Sequence, residues 1–164
     1  MFFTVMDSPV GKLLLVSDGT DLTGLYIGRP AEPGWKRQDE LPVFAQVRRW
    51  LEDYFGGSPG EIGSLPLLTE GTPFQREIWK LLLTIPYGKT CTYGDIAREM
   101  ARITGKKKMS AQAVGQAVGN NPISIIIPCH RVVGAKGKLT GYAWGIEKKE
   151  WLLRHEGSLY REEI

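Results

Sequence analysis

Residues 58–71, S-P-G-E-I-G-S-L-P-L-L-T-E-G, divide this chain into two stretches with different periodicities. Their Gly, Pro and Ser content favours neither a helix nor a strand, and they read as a linker between domains. Ahead of them lie short runs of β-branched and aromatic residues. Behind them lie capped helical segments. Such an order predicts an α+β fold in two parts. A small antiparallel sheet with one helix occupies residues 1–70 with the linker, and a mainly helical domain occupies 71–164.

In the first part, residues 2–7, 12–17 and 22–27 are separated by S-P-V-G and S-D-G-T, which are turn signals. A polar connector follows. Val43, Val47, Leu51 and Tyr54, with Phe44 and Phe55 beside them, then have the spacing of an amphipathic helix that ends at Gly56-Gly57.

The second part opens on Thr72 as N-cap, Pro73 at the first helical position and Gln75 closing a capping box. Phe74, Ile78, Leu81, Leu82 and Ile85 line one face of this helix, and Pro86 stops it. Thr92 caps a second helix with Asp95 three residues on and Ile96, Ala97 and Met100 on its buried side. The basic loop T-G-K-K-K leads to Ser110, which caps a third helix, S-A-Q-A-V-G-Q-A-V-G. Two short capped helices joined by a loop have the layout of a helix-turn-helix in a winged-helix-like domain. The third helix is small on all sides, with only Gln112 and Gln116 projecting. That suits tight helix packing, and equally the close approach of a nucleic-acid groove.

The chemistry concentrates in I-I-I-P-C-H-R-V-V-G, residues 125–134. Residues 123–127 and 131–133 read as buried extended segments. Cys129 between them could be a small core residue, as most buried cysteines are. Pro128 bends the chain there, however, His130 can act as a base, and Arg131 adds positive potential that favours a thiolate. Neighbouring residues on a strand point to opposite faces, so Cys129 and His130 need a turn or a bridging water to cooperate. In the last helix, about 147–156, Leu152, Leu153 and Glu156 share a face. A carboxylate on the apolar side and at the unfavourable end of the helix dipole calls for a buried partner, and His130 is the economical one; a surface glutamate is the plain alternative. Cys91 has no motif around it and is assigned to packing.

P-C-H-R-V-V, preceded by N-P-I-S-I-I-I and followed by G-Y-A-W-G and W-L-L-R-H-E-G, resembles the O6-alkylguanine-DNA alkyltransferases. The likeness runs from T-P-F-Q at 72 to H-E-G at 157, and the N-terminal part is similar only in layout. The resemblance implies single, irreversible transfer of an alkyl group from O6-alkylguanine (and O4-alkylthymine) in double-stranded DNA to Cys129, after the damaged nucleotide is flipped out. It makes His130 the residue that deprotonates the cysteine through a water and Glu156 the acid that orients the histidine. Asn121 braces the active-site turn, and Tyr93 helps flip the nucleotide and protonates the leaving guanine. Tyr142 and Ala143 lie over the base. Arg131 stands within the motif and is expected at the substrate and DNA side. Gln112 occupies the position where the family usually has an arginine that enters the duplex. Glutamine carries no charge, which lowers the expected DNA affinity or flipping efficiency. The turn between Tyr93 and Gln112 is longer than expected and carries Lys106–Lys108, which either restore phosphate contacts or form a solvated loop. Trp144 stands where some relatives have glycine and is expected to narrow the pocket, unless it only packs the lid.

Two other classes stay open on the residues alone. One is a protein that binds alkylated DNA without repairing it, against which Cys129 itself argues. The other is a cysteine hydrolase or redox sensor. The chain carries a formal charge of +3 and has 42% hydrophobic residues, which describes a soluble globular protein with weak preference for polyanions. Two cysteines and two histidines do not supply a structural metal site, and no cofactor is expected. No run approaches the ~20 apolar residues of a membrane helix, and the start lacks a basic and apolar leader. The expectation is a cytoplasmic monomer.

Overall fold

The computed structural model describes residues 1–158. These form two compact units: Met1–Glu70 with Pro122–Ile126, and Gly71–Asn121 with the chain from Ile127 onward.

The first unit is a four-stranded sheet with one helix. Strands β1 (Phe2–Met6), β2 (Leu13–Ser17) and β3 (Leu22–Ile27) form an antiparallel meander, and β4 (Lys36–Arg37) adds to β1 in parallel, giving the order β3-β2-β1-β4. Phe2 pairs with Ser17 and Met6 with Leu13, while Leu13 pairs with Ile27 across the other side. The run L-L-L-V-S is buried at every position, as an unalternating apolar segment requires of a central strand. The polar connector of the sequence reading is therefore not all loop. Thr4, buried within β1, donates to Asp39 Oδ1 at 2.7 Å and accepts from Arg48, and Arg37 Nε also reaches Asp39 at 2.9 Å. This network fixes β4, which two charged residues could not announce by pattern. Helix α1 (Pro42–Phe55) buries Val43, Phe44, Val47, Trp50, Leu51 and Tyr54, the stripe expected of it.

The segment taken as a linker is also tied down. Leu22 N donates to Pro66 O at 2.7 Å and Leu68 N to Leu22 O at 2.9 Å, so it pairs with the edge of β3. At that strand's other end Leu25 N donates to Pro122 O at 2.9 Å, and Ser124 N to Leu25 O at 3.0 Å. Residues from far along the chain thus complete the first unit.

The second unit contains α2 (Pro73–Leu82), β5 (Cys91–Thr92), α3 (Tyr93–Thr104), α4 (Ala111–Gly119), β6 (Val132–Val133) and α5 (Ile146–His155). The predicted capping box at Thr72 closes reciprocally, and the Thr92 cap proves to be a second box with Asp95. Gln75 N bonds Thr72 Oγ1 at 3.1 Å and Thr72 N bonds Gln75 Oε1 at 2.9 Å; Thr92 and Asp95 repeat the pattern at 3.0 and 2.9 Å. Ser110 caps α4 by accepting from Ala113 N at 3.1 Å. Gly105, in the left-handed region at φ 74°, ends α3, and the exposed lysines follow it. Trp79, absent from the predicted face of α2, is buried and donates to Ala117 O at 2.8 Å, fastening α2 to α4. Among the described residues no helix is long and apolar enough to cross a membrane.

Candidate active site

The apolar run ahead of Cys129 is buried but not extended, which corrects the sequence reading. After the single bridge at Ile123, Ile126 N bonds back to Ser124 O at 2.8 Å across Ile125, which sits at φ 71°. A β-branched residue in the left-handed region is strained by about 1–3 kcal/mol. Cys129 N then bonds Ile127 O at 2.8 Å across Pro128 (φ −84°, ψ 65°), an inverse γ-turn that proline's fixed φ favours. Cys129–Arg131 continue as one 3₁₀ turn, with Arg131 N bonded to Pro128 O at 3.0 Å. At three residues per turn, Cys129, His130 and Arg131 project in three directions. Val132 and Val133 resume as β6, parallel to β5, with Val132 opposite Cys91 and Thr92 opposite Val133. Because Thr92 caps α3, this two-residue ladder sets Tyr93 beside the cysteine turn.

His130 has no exposed surface, and its Nε2 lies 2.7 Å from Glu156 Oε2. Glu156 also receives Arg131 Nε at 2.8 Å on Oε1 and Arg131 Nη2 at 3.1 Å on Oε2. Burial pushes the Glu156 carboxyl up, but the hydrogen bonds from His130 and Arg131 and the charge of Arg131 outweigh it and hold the group at about 2. Glu156 is therefore an anion. Burial pushes the His130 imidazole down more than Glu156 pulls it up, so the ring is neutral at physiological pH. An ionised carboxylate only accepts hydrogen bonds, so the proton of the neutral ring sits on Nε2. Nδ1 carries the lone pair, and no protein atom of the described residues bonds to it.

Cys129 is 8% exposed. Burial raises its thiol pKa; the Asn121 side chain, the charge of Lys149 and the backbone N–H groups of Cys129 and His130 pull it back. Asn121 also donates from Nδ2 to Ile127 O at 2.7 Å, spanning the γ-turn.

The family model described as 6-O-methylguanine DNA methyltransferase, DNA binding domain, matches residues 73–158, and that of the same enzyme's ribonuclease-like domain matches 1–69. The chain belongs to the 6-O-methylguanine DNA methyltransferase family. A methylated-DNA–protein-cysteine methyltransferase of Haemophilus influenzae is 46% identical over 159 residues, 95% of this chain and 86% of that protein. One of Methanosarcina acetivorans is 43% identical, over 96% of this chain and 99% of that protein. The crystal structure of Mycobacterium tuberculosis OGT in complex with DNA superposes with a TM-score of 0.83 at 43% identity, covering 96% of this chain and 93% of that one.

The other residues singled out from the sequence divide into three groups. Tyr93 joins the buried cluster: it is half-buried, and burial pushes its phenol pKa up. Tyr142 and Trp144, half-buried, and Ala143, exposed, lie together in the loop that ends at Gly145, whose φ of 111° precedes α5. Gln112 stays on the exposed face of α4 with Gln116, outside the cluster.

Arg131 departs from expectation. It is buried, its Nη1 donates to Ile85 O at 2.7 Å, and its remaining contacts hold Glu156. It faces neither solvent nor the thiol, because the 3₁₀ turn rotates it away from Cys129. The cation acting on the sulfur is Lys149, which sequence reasoning missed. Lys149 is 1% exposed and donates to Val132 O at 2.7 Å and Gly141 O at 3.3 Å. The signal was present: Lys149, Leu152, Leu153 and Glu156 fall at i, i+3, i+4 and i+7 of α5, so the lysine lies in the same apolar stripe as the acid. Among the described residues no group of three or more His, Cys, Asp or Glu side chains could hold a metal ion.

Proposed function

We propose that this chain repairs O6-alkylguanine, with O4-alkylthymine as a second substrate, in double-stranded DNA by one irreversible alkyl transfer to Cys129. The observation that carries the reading is the neutral His130 held through Nε2 by an ionised Glu156, next to a buried cysteine. That tautomer leaves Nδ1 as the base. The thiol proton passes to it through one water, and His130 becomes an imidazolium whose charge Glu156 offsets. The thiolate attacks the alkyl carbon. The S–C bond forms, the C–O6 bond breaks, and guanine departs with the electron pair, taking a proton from the Tyr93 hydroxyl. Asn121 braces the turn that aims the sulfur.

A thioether in this site is a poor leaving group, so each molecule acts once. The guanine must leave the stack to reach sulfur, at a cost of a few kcal/mol. Helices α3 and α4 supply the DNA surface, with Gln112 filling the gap and Lys106–Lys108 contacting phosphate. Tyr142, Ala143 and Trp144 close over the base, and Trp144 narrows the opening. One copy of the chain contains every residue named, so a monomer suffices.

The test is intact-protein mass spectrometry after mixing with a duplex carrying one O6-methylguanine. The expected result is a stoichiometric gain of one methyl, mapped to Cys129 and absent in Cys129→Ser. A duplex bound without mass gain would mean damage recognition without repair. Multiple turnover on an ester would favour a hydrolase instead.

A further inference from the structure

The charges around Cys129 do not cancel. Glu156 is neutralised by Arg131, which also engages Ile85 O. His130 is neutral, and burial keeps the phenols of Tyr93 and Tyr87 protonated. Lys149 alone among these groups carries a charge with no carboxylate against it: both of its hydrogen bonds within the described residues go to backbone carbonyls. Its ammonium also lies 5.9 Å from the centroid of the Tyr93 ring. An ammonium that gives up water for two carbonyl dipoles is held at a cost. The tether alone is weak justification for a charge, since a neutral donor would bond the same carbonyls.

We propose that Lys149 is the counter-cation of the Cys129 thiolate, the residue that permits a buried thiol to ionise. Its charge acts on the sulfur, and the sulfur's acts on it, while Arg131 is spent on Glu156. Val132, whose carbonyl Lys149 holds, directly follows the cysteine turn, so the same contact fixes the ammonium relative to the sulfur. Burial lowers the Lys149 pKa to about 8, against the pull of Cys129, so the ammonium is the main form at neutral pH. The titratable and charged groups around this pair are Tyr93 from α3, His130 and Arg131 from the 3₁₀ turn, with Arg131 turned away from the thiol, and Glu156 at the C-terminal cap of α5. With the thiol still protonated none brings a second net charge; when His130 takes the thiol proton, its imidazolium is held by Glu156. Transfer consumes the partner: once the sulfur carries an alkyl group it cannot be an anion, and Lys149 loses its counter-ion.

The inference rests on Cys129 being the nucleophile, and its test does not use DNA. Methyl iodide, a small neutral probe, methylates a thiolate with loss of iodide. The rate at Cys129 is followed by peptide mapping from about pH 6 to about pH 10 in the wild type, Lys149→Arg and Lys149→Gln, a range that brackets ordinary thiol ionisation. Lys149→Gln keeps a donor and removes the charge. Its midpoint is expected to rise by about one pH unit, roughly a tenfold slower reaction at neutral pH, with Lys149→Arg close to wild type. A Lys149→Gln midpoint equal to wild type would overturn the proposal.

The reciprocal measurement needs no variant at Lys149. Titration of the Lys149 ammonium by NMR is expected to show its pKa falling when Cys129 is methylated, because linked groups shift one another equally. An unchanged value would overturn it as well. A shifted iodide profile without transfer from the lesion duplex would sink the repair function and leave this inference standing. The opposite pattern would do the reverse.

Discussion

The molecule contains two arginine–carboxylate networks that look alike on paper and differ in where they sit. In the first unit, Asp39 accepts from Thr4 and Arg37, and its side chain is 45% exposed. In the second, Glu156 accepts from His130 and Arg131, and its side chain is 0% exposed. Water screens the first and is nearly shut out of the second, where only the Arg131 side chain keeps 8% exposure. The exposed network therefore trims the geometry of a sheet edge, while the buried one determines proton positions. Lys106–Lys108 represent a third use of charge. They are exposed to solvent and thus open to an anionic partner, whereas Arg98 and Arg102 on the preceding helix are paired with Asp95 and Glu99.

The largest effect is expected for Glu156→Gln. It leaves the Arg131 guanidinium buried without its anion, which costs about 3–5 kcal/mol of stability. It also frees the His130 tautomer, so methyl transfer should fall by about a hundredfold or more. Urea unfolding and single-turnover kinetics read the two separately, and a stable, active variant would erase the distinction between the networks.

Next comes acid sensitivity. The Glu156 pKa is lowered to about 2, so its contribution is complete above the unfolded value of about 4.3 and is lost as pH falls through that value toward 2. The His130 pKa is also lowered, so the unfolded state takes up its proton first and stability starts to decline below about 6.5. Unfolding free energy measured against pH should show both phases, and Glu156→Gln should lose the lower one.

Replacing Lys106, Lys107 and Lys108 together with glutamine should leave stability alone and reduce the slope of log affinity against log salt by about 3 if all three contact phosphate. An unchanged slope would make them a solvated loop. Trp144→Gly should speed reaction with O6-benzylguanine more than with O6-methylguanine; equal rates would reduce Trp144 to a packing residue. The smallest effect is expected for Asp39→Asn, a change in melting temperature barely above experimental scatter. A large loss there would show that exposure had misled the comparison.

Local signals carried much of this structure. The three strands, the amphipathic α1, the Thr72 capping box and the Thr92 and Ser110 caps were all legible, because each depends on residues within a few positions of one another. The His130–Glu156 contact was also legible, since an acid on an apolar helix stripe demands a buried partner. What was hidden depended on turn geometry. An isoleucine-rich run reads as extended, and nothing in its letters signals the reversal at Ile125. Without that reversal and the 3₁₀ turn, Arg131 could not be placed, and the charge it seemed to lend the thiol went unassigned to Lys149. The β4 strand was invisible because its two residues, Lys36 and Arg37, have no strand propensity of their own.

The pairing of Leu25 with Ile123 has a consequence for anyone dissecting this protein. A cut after residue 70 looks natural, but the first fragment would keep an open strand edge and the second would carry Ile123, Ile125 and Ile126 into water. Each piece alone would be a hazard for aggregation, and the two would be expected to reassociate when mixed. Cys129 is thus threaded into the chain three residues after a segment that belongs to the first unit, so a cut at residue 70 is expected to leave neither piece complete.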